Sequence, residues 1–289
     1  MDGGRSPRAL AAWAAGALLL AAARPSPAQA PAPPARPAAA GVAIGSLDWA
    51  DRTVERAELP AKSAWRRVGE GDRLRTGDTF RTAEDGTARL DFPWMQVTLG
   101  PSSMLTIPAS TVLSTVLERG RAEFSGEGRD IVKIVVGEGE VRGGGRLVLR
   151  RSAGRTSATA LQGAFQMRAS GRVVVIKAGE GTVVNDGRPP DAAAPIPPAP
   201  RDLVPGADPV YVLAGQPVEL RWRASGSAYH VEVLAFQRDE VLLTRDASGP
   251  PLRLELPWLG SYRWRVSVRD SRGVESRPSA AGFICSVER

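Results

Sequence analysis

With 289 residues, the chain is long enough for two ordinary domains, and its formal net charge is +7. One cysteine, Cys285, excludes an intrachain disulfide, and with a single histidine, His230, the chain lacks the ligands of a usual His/Cys transition-metal site. The only lysines are Lys62, Lys133 and Lys177, and the many arginines are spread along the chain rather than massed in one block. We therefore expect no nucleic-acid partner and no cofactor.

Residues 1–30 have the layout of a secretory signal peptide. Two arginines precede an apolar stretch, residues 9–23, which is shorter than the roughly 20 apolar residues of a spanning helix. Small residues follow, and cleavage after either Ala28 or Ala30 fits the pattern, while an uncleaved anchor is the alternative. The sequence thus predicts an exported protein, periplasmic or secreted, with no membrane span after signal cleavage.

Composition divides the rest of the chain into four segments. Residues 31–40 form a Pro/Ala tether with too little apolar bulk to fold. Residues 41–187 form the first predicted domain, and residues 188–207 form a proline-rich linker that we expect to be a stiff, extended spacer. Residues 208–289 form a second domain, held at a distance from the first by that linker.

Residues 71–82 contain one hexapeptide written twice, GDRLRT and then GDTFRT. Each copy opens with a Gly-Asp pair, Gly71-Asp72 and Gly77-Asp78. Glycine adopts turn conformations at little cost, and aspartate can bond the backbone nearby. The period is too short for a helix and predicts short strands joined by tight turns. Because each aspartate is flanked by Arg and Thr rather than by further carboxylates, turn formation is favoured over a calcium site.

The remainder of the first domain consists of valine-rich runs separated by glycine, which is a strand signal. The glycines within residues 137–145 resemble a phosphate-binding loop, but a strand follows where such a loop needs a helix. A flexible hairpin tip is the better interpretation. Glu138 and Glu140 are expected to be exposed charges of that turn, with cation binding as the alternative. We predict an all-β domain, a stack of short strands of the β-solenoid or roll type.

Residues 208–289 show strict alternation of apolar and polar side chains. Aromatic and aliphatic residues alternate with arginine and serine from Tyr262 onward, and the segment around Trp222 repeats the pattern. This period of two indicates strands with one face in a core and one in water, and several such strands predict a C-terminal β-sandwich. His230 lies on the polar side of its strand, so we expect a solvated side chain. A Ser-His-Asp triad would have to recruit this histidine.

The stretch from Trp65 to Thr82 resembles the opening signature of FecR-type periplasmic domains, in which a tryptophan precedes a valine, a glycine, a Gly-Asp pair and an Arg-Thr pair. The likeness extends over essentially all of residues 41–187. A polar turn is usual in that family where this chain has Phe-Pro-Trp-Met-Gln at 92–96. Trp94 in this turn is a candidate contact for a partner, with burial as the alternative.

Residues 208–289 resemble a fibronectin type III or related immunoglobulin-like domain. The match rests on Trp222 and on the run Leu-Gly-Ser-Tyr-Arg-Trp-Arg-Val at 259–266. It implies that Tyr262 is the tyrosine that closes one corner of such sandwiches. A resemblance of this kind implies a fold and leaves the ligand open.

The best-known FecR proteins are transmembrane regulators that act on a sigma factor, and the resemblance implies their periplasmic domain. Only eight residues precede the apolar stretch, too few for a sigma-handling segment. We therefore expect a non-catalytic envelope protein, a binding or scaffold module that engages another envelope protein or a cell-wall polymer. The alternative is a membrane-anchored sensor that relays a periplasmic signal. An enzyme is a third hypothesis, for which the sequence shows no catalytic carboxylate pair.

Overall fold

The computed structural model describes residues 41–58, 64–109, 114–126, 132–237, 241–256 and 258–288. The predicted signal peptide and Pro/Ala tether lie outside these residues. Within them the chain forms strands, turns and loops without a helix, which confirms the predicted all-β class. β-Branched runs between glycine turns account for this, since such side chains pack well on a pleated surface. None of the described segments forms a helix able to cross a membrane.

A 15-stranded sheet, called the first sheet, contains most of the first predicted domain. Its strands are β1 (Ala43–Asp51), β2 (Val54–Glu58), β3 (Arg66–Arg67), β4 (Arg73–Arg75), β5 (Asp78–Thr82), β6 (Thr87–Phe92), β7 (Met95–Leu99), β8 (Met104–Thr106), β9 (Ser114–Gly126), β10 (Val132–Val136), β11 (Gly139–Ser152), β12 (Arg155–Ala169), β13 (Arg172–Lys177), β14 (Glu180–Asn185) and β15 (Ala194–Pro195). Most are short, as predicted, but β9, β11 and β12 have 13, 14 and 15 residues. Because β11 pairs with both β9 and β12, these three strands form a continuous central platform.

The two copies of the hexapeptide form successive units of a turn followed by a strand. Gly71 and Gly77 have φ angles of 85° and 90°, which a residue with a Cβ adopts only with strain. Leu74 and Phe80, the apolar residues of the two copies, are fully buried. The copies then diverge, since β4 pairs with β1 whereas β5 pairs with β2 and β8.

The glycines at 143–145 lie within β11, so their assignment to a hairpin tip is wrong. Gly137 alone of this set occupies the turn before β11. A Cβ on Gly145 would lie 2.4 Å from the carbonyl oxygen of Gln162 on β12, and the pairing of β11 with β12 shifts register immediately after Arg146. Glycine is needed there because the two strands approach too closely for a side chain.

Two further sheets form a β-sandwich, which confirms the prediction for the C-terminal region. Their strands are β16 (Arg201–Val204), β17 (Val210–Leu213), β18 (Val218–Arg223), β19 (Ala228–Ala235), β20 (Val241–Ala247), β21 (Leu252–Leu254), β22 (Gly260–Arg269) and β23 (Gly282–Val287). The orders are β16-β18-β21 in one sheet and β17-β23-β22-β19-β20 in the other. Trp222, Tyr262 and Trp264 are buried in the shared core. The hydroxyl of Tyr262 donates a hydrogen bond of 2.6 Å to the carbonyl oxygen of Trp258.

The proline-rich linker lies along both parts, and the expectation of a free spacer is wrong. The backbone N–H of Asp191 donates to the carbonyl oxygen of Val183 (2.9 Å), and that of Ile196 donates to Gly179 (3.1 Å). Within the linker, β15 pairs with β14 and β16 pairs with β18. Because its main-chain groups bond to strands of both parts, the segment cannot act as a spacer, and 41–289 form one compact unit.

Candidate functional site

The five-stranded sheet of the sandwich has its outer face against the first sheet. His230 and Glu232 point to that face from β19, and they are only 1% and 3% exposed. The prediction of a solvated His230 is therefore wrong. Alternation along β19 correctly separates two faces, but β9, β11 and β12 cover the face that the polar residues would otherwise present to water.

Arg121 on β9 is the centre of this buried interface. Its Nε donates to both carboxylate oxygens of Glu275, at 3.2 and 3.1 Å, and its Nη2 donates to Oε1 of the same residue at 2.8 Å. Oxygens of Glu123 and Glu232 lie 3.3 and 3.8 Å from Nη2. Burial alone would lower the pKa of Arg121, but these three carboxylates raise it above its ordinary value. Arg121 therefore keeps its charge inside the interface.

Two of the carboxylates around Arg121, those of Glu275 and Glu232, are held in their ionised form. Burial would raise the pKa of Glu275, but the charge and hydrogen bonds of Arg121 lower it to about 2. Ser267 donates a further hydrogen bond of 2.7 Å to Glu275, which helps to satisfy its oxygens. The pKa of Glu232 is also lowered, since His230, Arg265 and Arg121 together outweigh the effect of its burial.

Beside this cluster the buried His230 pairs with Asp246, which is partly exposed. The His230 Nδ1 and Asp246 Oδ1 atoms are 2.7 Å apart, and Arg150 Nη1 donates to Asp246 Oδ2 at 3.1 Å. Burial and the charge of Arg121 lower the pKa of His230, but the hydrogen bond with Asp246 and the Glu232 carboxylate, whose Oε1 lies 3.6 Å from Nε2, raise it by more, so the net shift is upward. Burial would raise the pKa of Asp246, whereas the hydrogen bond with His230 and the charge of Arg150 lower it.

A groove of about 990 Å³, here called the arginine groove, opens at the edge of the interface. Its lining consists of Ala83, Glu84, Asp85, Pro101, Ser102, Arg119, Gly120, Arg150, Arg151, Ser152, Ala153, Arg245, Asp246 and Arg269. Five of these residues are arginine and three are acidic. A smaller groove of about 470 Å³ shares Ala83, Glu84, Ser102 and Arg119 with it, so the two grooves adjoin and together are elongated.

Two guanidinium groups of the arginine groove keep unused donors. Among the described residues, Nε and Nη2 of Arg150 and Nε of Arg269 have no hydrogen-bond acceptor. Arg151 is fixed by two hydrogen bonds to Asp186, at 2.7 and 2.6 Å. The planar guanidinium group suits carboxylate and phosphate oxygens because it can donate two parallel bonds. The arrangement can therefore bind an anion.

The aspartates of the tandem repeat lie in turns outside this groove. Asp72 Oδ2 accepts a hydrogen bond from the N–H of Gly69 (2.9 Å), and Asp78 Oδ2 accepts one from Arg75 (2.8 Å). Each carboxylate thus accepts a hydrogen bond from the backbone N–H three residues earlier. Burial raises the pKa of Asp78, although Arg75 N–H and the Arg56 guanidinium, 3.4 Å away, oppose this rise.

Trp65 immediately precedes β3, and Thr82 is the last residue of β5. Trp65 is half-buried, and the guanidinium carbon of Arg81 lies 4.1 Å from the centroid of its ring. Thr82 Oγ1 donates to the carbonyl oxygen of Gly100 (2.7 Å) and accepts from the N–H of Ser103 (2.9 Å). These contacts stabilise the turns of the first sheet.

Trp94 lies in the turn between β6 and β7. Its ring is half-buried, packs against the core of the first sheet, and lies 5.8 Å from the ring of Phe92. Its Nε1 is buried without an acceptor in the described part of the chain. A partner contact at Trp94 stays a prediction.

Glu138 and Glu140 have protein partners rather than a shared site. Glu138 accepts a hydrogen bond from the N–H of Gly187 (2.8 Å), and Glu140 pairs with Lys133 (2.9 Å) and Arg142. Across the described ranges, no group of three or more His, Cys, Asp or Glu side chains is placed to hold a metal ion.

Comparisons with known proteins give no family assignment. No family model matches the chain, and no curated protein matches it. Two crystal structures of a candidate anti-sigma factor from Parabacteroides distasonis, at 1.65 and 2.50 Å resolution, are similar to 40% of this chain. Their TM-scores are 0.36 and 0.35, at 12% and 13% identity. The chain spans 59% of the length of that protein, and nothing about function is carried over from it.

Proposed function

We propose that the protein is an exported, non-catalytic binding module of a bacterial envelope, and that its arginine groove engages an anionic cell-wall polymer. The observation that carries this proposal is the set of buried guanidinium donors of Arg150 and Arg269 that lack acceptors among the described residues. Export rests on the predicted signal peptide. The elongated shape of the two adjoining grooves favours a chain-like ligand over a compact one.

The interface behind the groove supports binding without catalysis. Arg150 is held by Asp246 and Arg151 by Asp186, so little side-chain entropy is lost when an anion binds. Nδ1 of His230 is occupied by Asp246 and its ring is buried, so it is poorly placed to activate a serine of the groove. The groove is therefore suited to hold a charged ligand rather than to transform it.

The two resemblances found in the sequence belong to the same proposal. The paired Gly-Asp turns support a FecR-type fold for residues 41–187, and the hydrogen bond from Tyr262 to Trp258 supports a fibronectin type III or immunoglobulin-like sandwich. Both are folds that commonly present binding surfaces. In this proposal the sandwich does not bridge at a distance but forms one wall of the groove.

Co-sedimentation of the mature protein with purified cell wall tests the proposal. We expect binding that weakens between about 0.05 and 0.3 M salt, because exposed charges are screened over that range. Arg119→Gln should weaken binding, since Arg119 is exposed and has no ion pair within the described chain. Arg223→Gln is the matched control, because Arg223 is 76% exposed and does not line the groove. Binding that is indifferent to salt and to Arg119 would point to an apolar protein partner and reject the polymer.

A further inference from the structure

Strand β13 has one open edge. It pairs with residues 164–169 of β12, while β14 pairs with residues 155–160 of the same strand. β15 covers the far side of β14, but among the described residues no strand lies on the far side of β13. The edge of the first sheet therefore ends at β13.

A hydrogen bond at the end of β13 shows which backbone groups face this edge. The N–H of Lys177 donates to Oε2 of Glu180 (2.9 Å) and so points away from β12. Because backbone groups alternate sides along an antiparallel strand, the N–H and C=O groups of Val173 and Val175 point the same way. They can accept one further strand.

The side chains beside these groups form an unpartnered apolar face. Val173 and Val175 are 40% and 50% exposed, whereas Ile176 on the opposite face is fully buried. Soluble proteins usually protect such edges with charges. In β13 the charges stand only at the two ends, at Arg172 and Lys177, and leave the centre open.

The end charges decide what can occupy this edge. A second copy of β13 would bring another Arg172 and another Lys177 to an edge that already carries both, and like charges brought close together repel each other. Arg168 on β12, opposite Val173, adds further positive charge. A strand with acidic residues at its ends would instead form an ion pair at each end.

We propose that the open edge of β13 is a docking site for an extended segment of a partner protein, apolar at its centre and acidic at its ends, which adds to the first sheet as one more strand. This mode of recognition takes its affinity from main-chain hydrogen bonds and its specificity from alternate side chains. The site is separate from the arginine groove, so the full chain offers two independent surfaces.

NMR titration of the full chain tests the site. The probe is a synthetic peptide as long as β13, six residues, with glutamate at each end and alternating valine and threonine between. It should shift and protect the amides of Val173 and Val175, and bind at least about fivefold more tightly than a peptide with lysine ends, because opposite charges pair across strands. Equal affinity for the two peptides, or no binding, would overturn the proposal.

Four variants complete the test. Val175→Pro removes one N–H at the open edge and should abolish peptide binding, whereas Val175→Thr keeps that N–H and should retain it. The double variant Arg172→Glu and Lys177→Glu leaves the backbone intact and should bind the lysine peptide more tightly than the glutamate peptide. This result tests the proposal even if the proline variant does not fold. Arg119→Gln should not affect peptide binding, so failure of the groove and failure of this site are distinguishable. A concentration-dependent dimer with amide protection at 172–177 would also overturn the proposal.

Discussion

The guanidinium group of Arg121 donates hydrogen bonds to both carboxylate oxygens of Glu275, although the two residues are 154 positions apart in the chain. The pair joins β9 of the first sheet to the loop that follows β22 of the sandwich. Both side chains are almost completely buried. Because the cost of an unpaired buried charge is high, this contact makes the folding of the two parts interdependent.

Glu275→Gln should lower the free energy of unfolding by about 3–5 kcal/mol, the usual cost of removing one partner from a buried ion pair. The amide preserves shape, so the loss reports the charge on Arg121 left with weaker partners. Urea denaturation measures it. Glu58→Gln breaks an exposed pair with Arg66 and should leave stability unchanged. Equal effects of the two substitutions would show that the buried pair contributes no more than a surface one.

Stability should depend on pH through the groups of the interface. The pKa of His230 is raised in the folded state, so its contribution is complete below its ordinary value of 6.5 and is lost as pH rises through the folded-state pKa. The pKa of Glu275 is lowered from 4.5 to about 2, so its contribution is present above 4.5 and is lost as pH falls towards 2. The free energy of unfolding should therefore be greatest between about pH 4.5 and 6.5.

Urea midpoints measured from pH 3 to 9 check this profile. His230→Asn should flatten the alkaline side of the curve while leaving the acid side in place, because only the histidine titrates near neutral pH in this interface. Stability that rises from pH 6 to pH 8 in the unsubstituted protein would contradict the assigned role of His230.

Gly145→Ala should destabilise the first sheet. Gly145 has φ of 123°, and a Cβ there would lie 2.4 Å from the carbonyl oxygen of Gln162, so strain of about 1–3 kcal/mol is expected. Thermal unfolding measures the loss. Gly69→Ala is the control, since nothing lies within 4 Å of its Cβ position. If both variants unfold at the same temperature, β11 and β12 separate at this point more easily than their spacing indicates.

Local pattern predicted the strands but not what lies against them. Alternation from Tyr262 onward correctly places Tyr262 and Trp264 in the core, since one covered face leaves a period of two. The opposite face of this sheet is covered as well, by the first sheet, but its polar residues give the sequence pattern of a face exposed to water. A signal was present in the charges themselves, because Glu232 on β19 is matched by Arg265 on β22, whose Nε lies 2.5 Å from its carboxylate.

The arginine groove could not be predicted from any one segment. Arg119, Arg150 and Arg269 belong to β9, β11 and β22, and only the packing of the sandwich on the first sheet brings them together. The same packing explains the proline-rich linker. Its composition correctly indicates an extended chain, but not that its N–H groups bond to Val183 on β14 and to Gly179 just before it.

Arg150→Lys separates the charge of the groove from its hydrogen-bonding geometry. Lysine keeps the positive charge but cannot present the planar pair of donors formed by Nε and Nη2, so affinity for the anionic polymer should fall about tenfold. The decrease of binding with salt should stay nearly the same, because the net charge is unchanged. Co-sedimentation at several salt concentrations measures both quantities, with Arg223→Lys as the matched control. If Arg150→Lys binds as well as the unsubstituted protein, the groove attracts anions by charge alone, and its unpartnered donors have another role.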